Sequence, residues 1–302
     1  MNPARAPQWV ARRERGSNFA LWLMTRISLL AGRRASRIVL RAIALYYLVG
    51  AGGARRASLG YLSRVLGRRA RWSDAYRHIF TFASTIHDRV FLLNERSDLF
   101  DIQVLGADAL HEAAGRGGIL LFGAHLGSFE LLRSAARQRP GLRLCMAMYP
   151  DNARRIGRAL AAINPRLEPD ILPLGRLDAM IRVHERLEAG TMVGLLADRG
   201  LRADAMAQVP FLGEPANFPE GPFRMAALLR RPVFFVAGLH RGGNRYEARF
   251  EALAPRPGDE GLRFPDGPAL LARYVEALER HCREAPLNWF NFYEFWSIAP
   301  DE

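Results

Sequence analysis

The sequence predicts an α/β fold: a mixed, largely parallel sheet flanked by helices and preceded by a basic, helical N-terminal region. Three observations carry that expectation. Beyond residue 117, short apolar runs alternate with helix-like segments, the pattern of strand–helix–strand units. Residues 74–93 repeat apolar side chains at helical spacing. Residues 1–95 hold 17 arginines against four acids, whereas residues 96–302 hold 26 of each, so the first third carries the whole surplus of +13. The charge break and the polar stretch 94–101 divide the chain into a basic helical region (1–95) and an α/β domain (96–302).

Taken in order, residues 19–31 and 38–52 are apolar blocks interrupted by Arg26 and Arg41. Neither reaches the roughly 18–20 uninterrupted apolar residues of a spanning helix. Bordered by arginines and carrying Trp22, Tyr46 and Tyr47, they suit helices lying in the interface of an anionic membrane; the competing reading packs them on the domain that follows. Arg26 also breaks any secretory signal, and Gly32-Arg33-Arg34 is a poor cleavage site. Nucleic acid is not an expected partner, because the arginines flank apolar blocks rather than line a solvated reading module.

Residues 74–93 place Tyr76, Ile79, Phe80, Phe82, Ala83, Ile86, Val90 and Phe91 on one helical face, with His78 and His87 read as structural. Beyond them, residues 118–123, 142–148, 192–197 and 233–238 read as strands, and 129–139, 152–163, 177–187 and 220–229 as helices. Residues 245–253 alternate like a solvated edge strand, 254–258 form a Pro-rich loop, and 268–282 form a last helix. Cys145 and Cys282 show neither metal spacing nor a disulfide framework, and Cys145 is expected in the core.

The chemistry-bearing stretch is Gly123-Ala124-His125-Leu126-Gly127-Ser128-Phe129-Glu130. It follows the first apolar run and precedes a helix, so a histidine and a carboxylate meet at a strand-to-helix turn. Such a pair suits a general base with an orienting acid. The alternative is a loop histidine and an ordinary first-turn acid, which the helix dipole favours anyway. Ser128 fits an N-cap, and Glu130 falls in the first turn, where it stays ionised. A developing oxyanion would need donors, for which the N–H groups of Gly127 and Ser128 and the Arg199 guanidinium are candidates. Ser128 as a nucleophile lacks the Gly-x-Ser-x-Gly setting. Asp198-Arg199 closes the run 192–197 at the strand end where α/β ligand sites lie. Arg199 there holds a phosphate or an oxyanion, or else pairs with Asp198. Arg154, with Arg155 and Arg158, is either a donor contact or a solvated face.

His125-x4-Glu130 with its Gly-Ser interior resembles the His-x4-Asp/Glu box of the lysophospholipid acyltransferase superfamily. It is most similar to the branch of the bacterial lipid A biosynthesis late acyltransferases. Leu195-Leu196-Ala197-Asp198-Arg199-Gly200 is similar to that branch's downstream Asp box. Val209-Pro210-Phe211-Leu212-Gly213-Glu214-Pro215 resembles its Pro-Phe-x-Gly-x-Pro box, and Pro286-Leu287-Asn288-Trp289-Phe290 its Trp-containing ending. Four boxes in the right order are far more specific than one.

The resemblance implies a glycerolipid-acyltransferase-like fold without cofactor or metal. It implies transfer of a fatty acyl chain from acyl carrier protein or acyl-CoA to a hydroxyl or amine of a lipid or glycolipid acceptor. The setting it implies is the cytoplasmic face of the bacterial inner membrane, with the protein peripheral or monotopic. His125 would be the base oriented by Glu130, with Gly127, Ser128, Asp198, Arg199 and Arg154 contacting substrate. Pro150 stands where the lipid A enzymes tend to carry an arginine after the counterpart of Tyr149, which bears on lipid A itself as acceptor. The competing functions are an inactive membrane-bound lipid-binding or scaffold protein and a lipid ester hydrolase. The intact His125/Glu130 pair speaks against the first.

Overall fold

The apolar runs of the second two-thirds join into one seven-stranded sheet of order β1-β9-β8-β2-β5-β3-β4 in a computed structural model. The structure describes residues 18–132, 143–166, 170–175, 178–200, 205–255, 259 and 261–296. The strands are β1 (Asp101–Leu105), β2 (Leu120–Gly127), β3 (Leu144–Met148), β4 (Ile171–Pro173), β5 (Met192–Leu196), β8 (Val233–His240) and β9 (Arg245–Ala254). Every neighbouring pair is parallel except β8 with β9. Strands β2, β5 and β8 are central and covered on both faces by helices, which is why they read as unbroken apolar runs.

Strand β9 was expected at a solvated edge, but it lies between β1 and β8. Its alternation has another cause: Tyr246 and Ala248 are buried, while Arg249 and Glu251 pair with Glu284 and Arg280 of a covering helix. The edges are β1 and β4; β1 is a five-residue strand, Asp101-Ile102-Gln103-Val104-Leu105, that is only partly buried and was not expected from the sequence. Strands β6 (Met206–Phe211) and β7 (Glu214–Pro219) form a separate antiparallel hairpin, turning at Leu212 and Gly213 with φ of 53° and 87°.

The N-terminal region is helical: α1 (Asn18–Gly50), α2 (Gly52–Leu66) and α3 (Trp72–Leu93). The two apolar blocks at its start form two helical segments that meet at a kink at Gly32, whose φ of 77° is open to glycine. Helix α3 starts where Asp74 accepts the Arg71 N–H at 2.9 Å, satisfying a donor the helix cannot. The later helices are α4 (Ala107–Gly115), α5 (Pro150–Ile163), α6 (Ala179–Glu188), α7 (Gly221–Leu229) and α8 (Gly267–Glu284). Another begins at Phe129; the rest of the helix expected over 129–139 lies outside the described residues from 133 on.

Along α1, Ser36, Leu40, Ala44 and Leu48 recur every four residues and are buried. Ala44 and Leu48 pack on Ala75 and Ile79 of α3. The remaining face leaves Ile38, Val39, Leu45, Tyr46 and Val49 exposed. No single helix among the described residues is long and apolar enough to cross a membrane, although Thr25–Gly50 and Gly52–Leu66, bent by 95°, qualify as a pair by length and composition.

The basic region and the sheet share one core: Tyr61, Leu62 and Val65 of α2 belong to the same buried cluster as Tyr274 and Trp289. Some of its arginines are internal partners. Arg33 donates two 2.7 Å bonds to the fully buried Asp88 of α3, which also accepts Tyr246 Oη of β9 at 2.8 Å. Arg64 pairs with Glu214 at 2.6 Å and Arg68 with Asp74 at 2.9 Å.

Candidate active site

Parallel neighbours in a sheet end on the same side, and this brings two distant segments together. Strand β2 carries His125 near its C-terminal end; β5 beside it delivers Asp198 two residues past its own end. His125 Nδ1 lies 2.9 Å from Asp198 Oδ1, and the backbone N–H of His125 donates to Oδ2 at 3.1 Å. Trp289 Nε1 donates to that same Oδ2, also at 3.1 Å. A carboxylate accepts only, so His125 carries its proton on Nδ1 and keeps the Nε2 lone pair. The imidazole side chain is 37% exposed and the carboxylate not at all.

The charges agree with those roles. Burial alone would push the Asp198 carboxyl up, but His125, Arg199 and the His125 N–H together hold it well below the usual carboxylate range. For His125 the balance is opposite. Burial and the Arg199 cation lower it below its ordinary value, outweighing the attraction of Asp198. A neutral imidazole with one open edge and a fixed tautomer is equipped to accept a proton.

Backbone clamps hold the His125 turn from both sides. Ser128 N–H donates to Gly238 O of β8 at 2.7 Å, and Gly127 N–H to Asn288 O at 2.9 Å. Phe290 N–H returns a 2.8 Å bond to His125 O. The crossing over β8 requires two glycines: a Cβ on Gly127 (φ 74°) would stand 1.9 Å from Gly238 O, and one on Gly238 2.1 Å from Ser128 O. Tyr274 Oη of α8 donates to Gly123 O at 2.9 Å. Asn288 mimics a paired strand residue, accepting His240 N–H at 2.7 Å and donating to His240 O at 3.1 Å.

The expected site residues fare differently. His125 and Asp198 are joined, Asp198 as the partner of the imidazole. Glu130, expected to orient His125, instead lies against Arg89 of α3, with Oε2 3.0 Å from Nε, an ion pair whose N–H is not aligned on the oxygen. The physical reason is direction: the helix starting at Phe129 turns Glu130 toward α3, while β5 presents an acid at the imidazole. The N–H groups of Gly127 and Ser128 are already engaged with carbonyls, so neither is a ready oxyanion donor. Ser128 Oγ is buried and caps nothing among the described residues. Arg199 stands 3.8 Å from Asp198, donates to Phe290 O at 2.9 Å and lies 5.0 Å over the Tyr293 ring. Arg154 is exposed on α5 and paired with Asp151; no described contact joins it to the His125 cluster.

Sequence reasoning missed Trp289. Its box was visible, but an indole N–H aimed at a carboxylate 91 positions away leaves no local signature.

The family model described as bacterial lipid A biosynthesis acyltransferase matches residues 78–297. That span takes in His125, Asp198 and Trp289. No curated protein matches the chain.

Proposed function

The chain belongs to the bacterial lipid A biosynthesis acyltransferase family, and on that premise we propose that it moves a fatty acyl chain from a thioester to a hydroxyl or amine of a lipid or glycolipid acceptor, with His125 as general base and Asp198 as its orienting acid. Acyltransfer to a lipid acceptor follows from the family; the assignment of roles rests on the 2.9 Å bond between His125 Nδ1 and Asp198.

Neutral Nε2 takes the acceptor proton as its oxygen or nitrogen attacks the thioester carbonyl. Asp198 stabilises the imidazolium so formed. The tetrahedral oxyanion then collapses, the C–S bond breaks, and the imidazolium returns its proton to the departing thiolate. The Arg199 guanidinium is the charged group available to the oxyanion, since the turn's own N–H groups are bonded elsewhere. The thioester donor is acyl carrier protein or acyl-CoA; both are anionic, and the chain's net charge of +13 complements either. The exposed apolar face of α1, interspersed with Arg34 and Arg41, suits peripheral or monotopic attachment to the cytoplasmic leaflet of the inner membrane.

The test follows thiol release from an acyl thioester with and without a lipid acceptor. Release should require the acceptor and fall at least ~100-fold in His125→Ala, with melting temperature unchanged. Acceptor-independent release would make the protein a hydrolase. No release with any thioester would leave a binding protein.

A further inference from the structure

The segment 288–290 that clamps the His125 turn is itself held from the opposite side by the N-terminal helices. His78 of α3 is fully buried. Its Nε2 lies 3.0 Å from the Trp289 carbonyl and its Nδ1 2.9 Å from Ser58 Oγ of α2. A carbonyl accepts only, so Nε2 carries the proton and Nδ1 accepts the serine hydroxyl. The ring stacks on Phe292 at 4.7 Å and on Phe290 at 6.2 Å, which leaves it one orientation. In the same peptide unit as that carbonyl, Phe290 N–H bonds His125 O, and one unit further on Phe290 O receives Arg199. The Trp289 indole, itself fully buried, reaches Asp198 Oδ2.

We propose that Trp289 is a positioning residue for the Asp198–His125 pair, and that His78 acts through it, making α3 part of the catalytic apparatus rather than an accessory layer. This deepens the reading of His125 as general base and rests on it. Oδ2 takes two donors, the indole N–H and the His125 N–H, which turns Oδ1 squarely onto Nδ1. Losing the indole N–H leaves a buried carboxylate with less of its charge shared and its plane free to rotate. Its pull on the imidazole proton then rises, so His125 becomes harder to deprotonate while its aim worsens. Burial keeps His78 neutral, with its pKa down to about 4, so the segment 288–290 is held by a dipole and not by a second cation beside Arg199. The other groups facing the pair are Arg199 from the end of β5, Tyr274 and Cys282 from α8, and Tyr293 from the tail, and all are unchanged in the variants below.

The experiment is an NMR titration of the histidine rings in the full-length protein, which has seven histidines, with His125→Asn assigning the His125 signal. Trp289→Phe removes the N–H donor while keeping an aromatic ring in the buried site, at the cost of some packing volume. It should raise the His125 midpoint by about 0.5 pH unit or more, move the acid limb of kcat/KM with it, and lower kcat roughly 10-fold. His78→Leu should shift the midpoint in the same direction, and His78→Gln, which retains a donor for the Trp289 carbonyl, should restore it. A folded Trp289→Phe protein with unchanged midpoint and rate overturns the proposal. An unchanged midpoint in folded His78→Leu overturns the part assigned to His78, and that comparison decides the matter alone if Trp289→Phe does not fold. The midpoint is read without turnover. Full activity of His125→Asn would therefore sink the general-base reading while still leaving the positioning of His125 measurable.

Discussion

His125 and Asp198 stand 73 positions apart in the chain and meet at 2.9 Å, and the same carboxylate also caps the backbone N–H of His125. Asp198 therefore fixes both the ring's tautomer and the start of the turn that carries it. Two consequences differ in sign from what a His-x4-Glu motif alone suggests. The acid at the imidazole comes from β5, and the motif's own acid serves the contact with α3.

Replacing Asp198 by Asn keeps the side chain's size and removes its charge. Acyl transfer should fall at least ~100-fold, the scale of a lost general base, because the wrong tautomer becomes accessible and the imidazolium loses its counter-charge. Glu130→Gln should cost far less in kcat and more in thermal stability, as it releases Arg89. Equal losses of kcat in the two folded variants would assign the orienting role to Glu130 instead.

The pH profile follows from the direction of the His125 shift. The base works neutral, and burial together with Arg199 holds it below its ordinary 6.5, so kcat/KM should rise with pH through a midpoint under 6.5 and be flat at neutrality. Arg199→Gln removes the nearby cation while keeping an N–H for Phe290 O. The midpoint should then climb by roughly 0.5–1 unit. A midpoint that stays put or falls would show that Arg199 does not act on the imidazole electrostatically.

Stability should also depend on pH, through His78. Its folded value of about 4 lies below the ordinary 6.5, so the unfolded chain binds the proton first as pH drops. Stability present above 6.5 is therefore lost progressively down to 4, by about 3 kcal/mol. Denaturant titrations of wild type and His78→Gln across that window should converge at acid pH and separate at neutral pH. Parallel curves would contradict the assignment.

Membrane attachment should depend on the open face of α1. Leu45 and Val49 are one turn apart and exposed, so Leu45→Asp with Val49→Asp adds two charges to the proposed lipid face without touching the stripe that packs on α3. Binding to anionic vesicles should weaken at least ~10-fold, and the residual binding should become more salt-sensitive as the screened charge term dominates. Unaltered vesicle binding of the folded double variant would remove α1 as the docking face.

What the chain determined by itself is what periodicity and short-range chemistry encode. The central strands β2, β5 and β8 are legible because a strand buried on both faces must be apolar throughout. The helix α3 is legible from its periodicity, but its packed face is not: Phe82 of the expected apolar stripe is exposed, while His78, Ser84, Thr85, His87 and Asp88 are buried. The His125 turn and the Asp198 strand end were each visible locally, as were the basic bias of the first third and the Trp289 box. Which of these pieces touch was decided by tertiary structure alone. Strand β9 looks solvated because its polar side chains meet partners on α8, and pairing with a covering helix leaves the same alternating pattern as exposure to water. Strand β1 is five residues long and only partly buried, too short for its Ile102/Val104 alternation to stand out. Glu130 lost the imidazole to Asp198 because strand order in a parallel sheet sets which loop ends are neighbours, and no spacing along one segment records that order. Trp289 and His78 became part of the site for the same reason: hydrogen bonds are satisfied in space, by whatever group the folded backbone brings within about 3 Å.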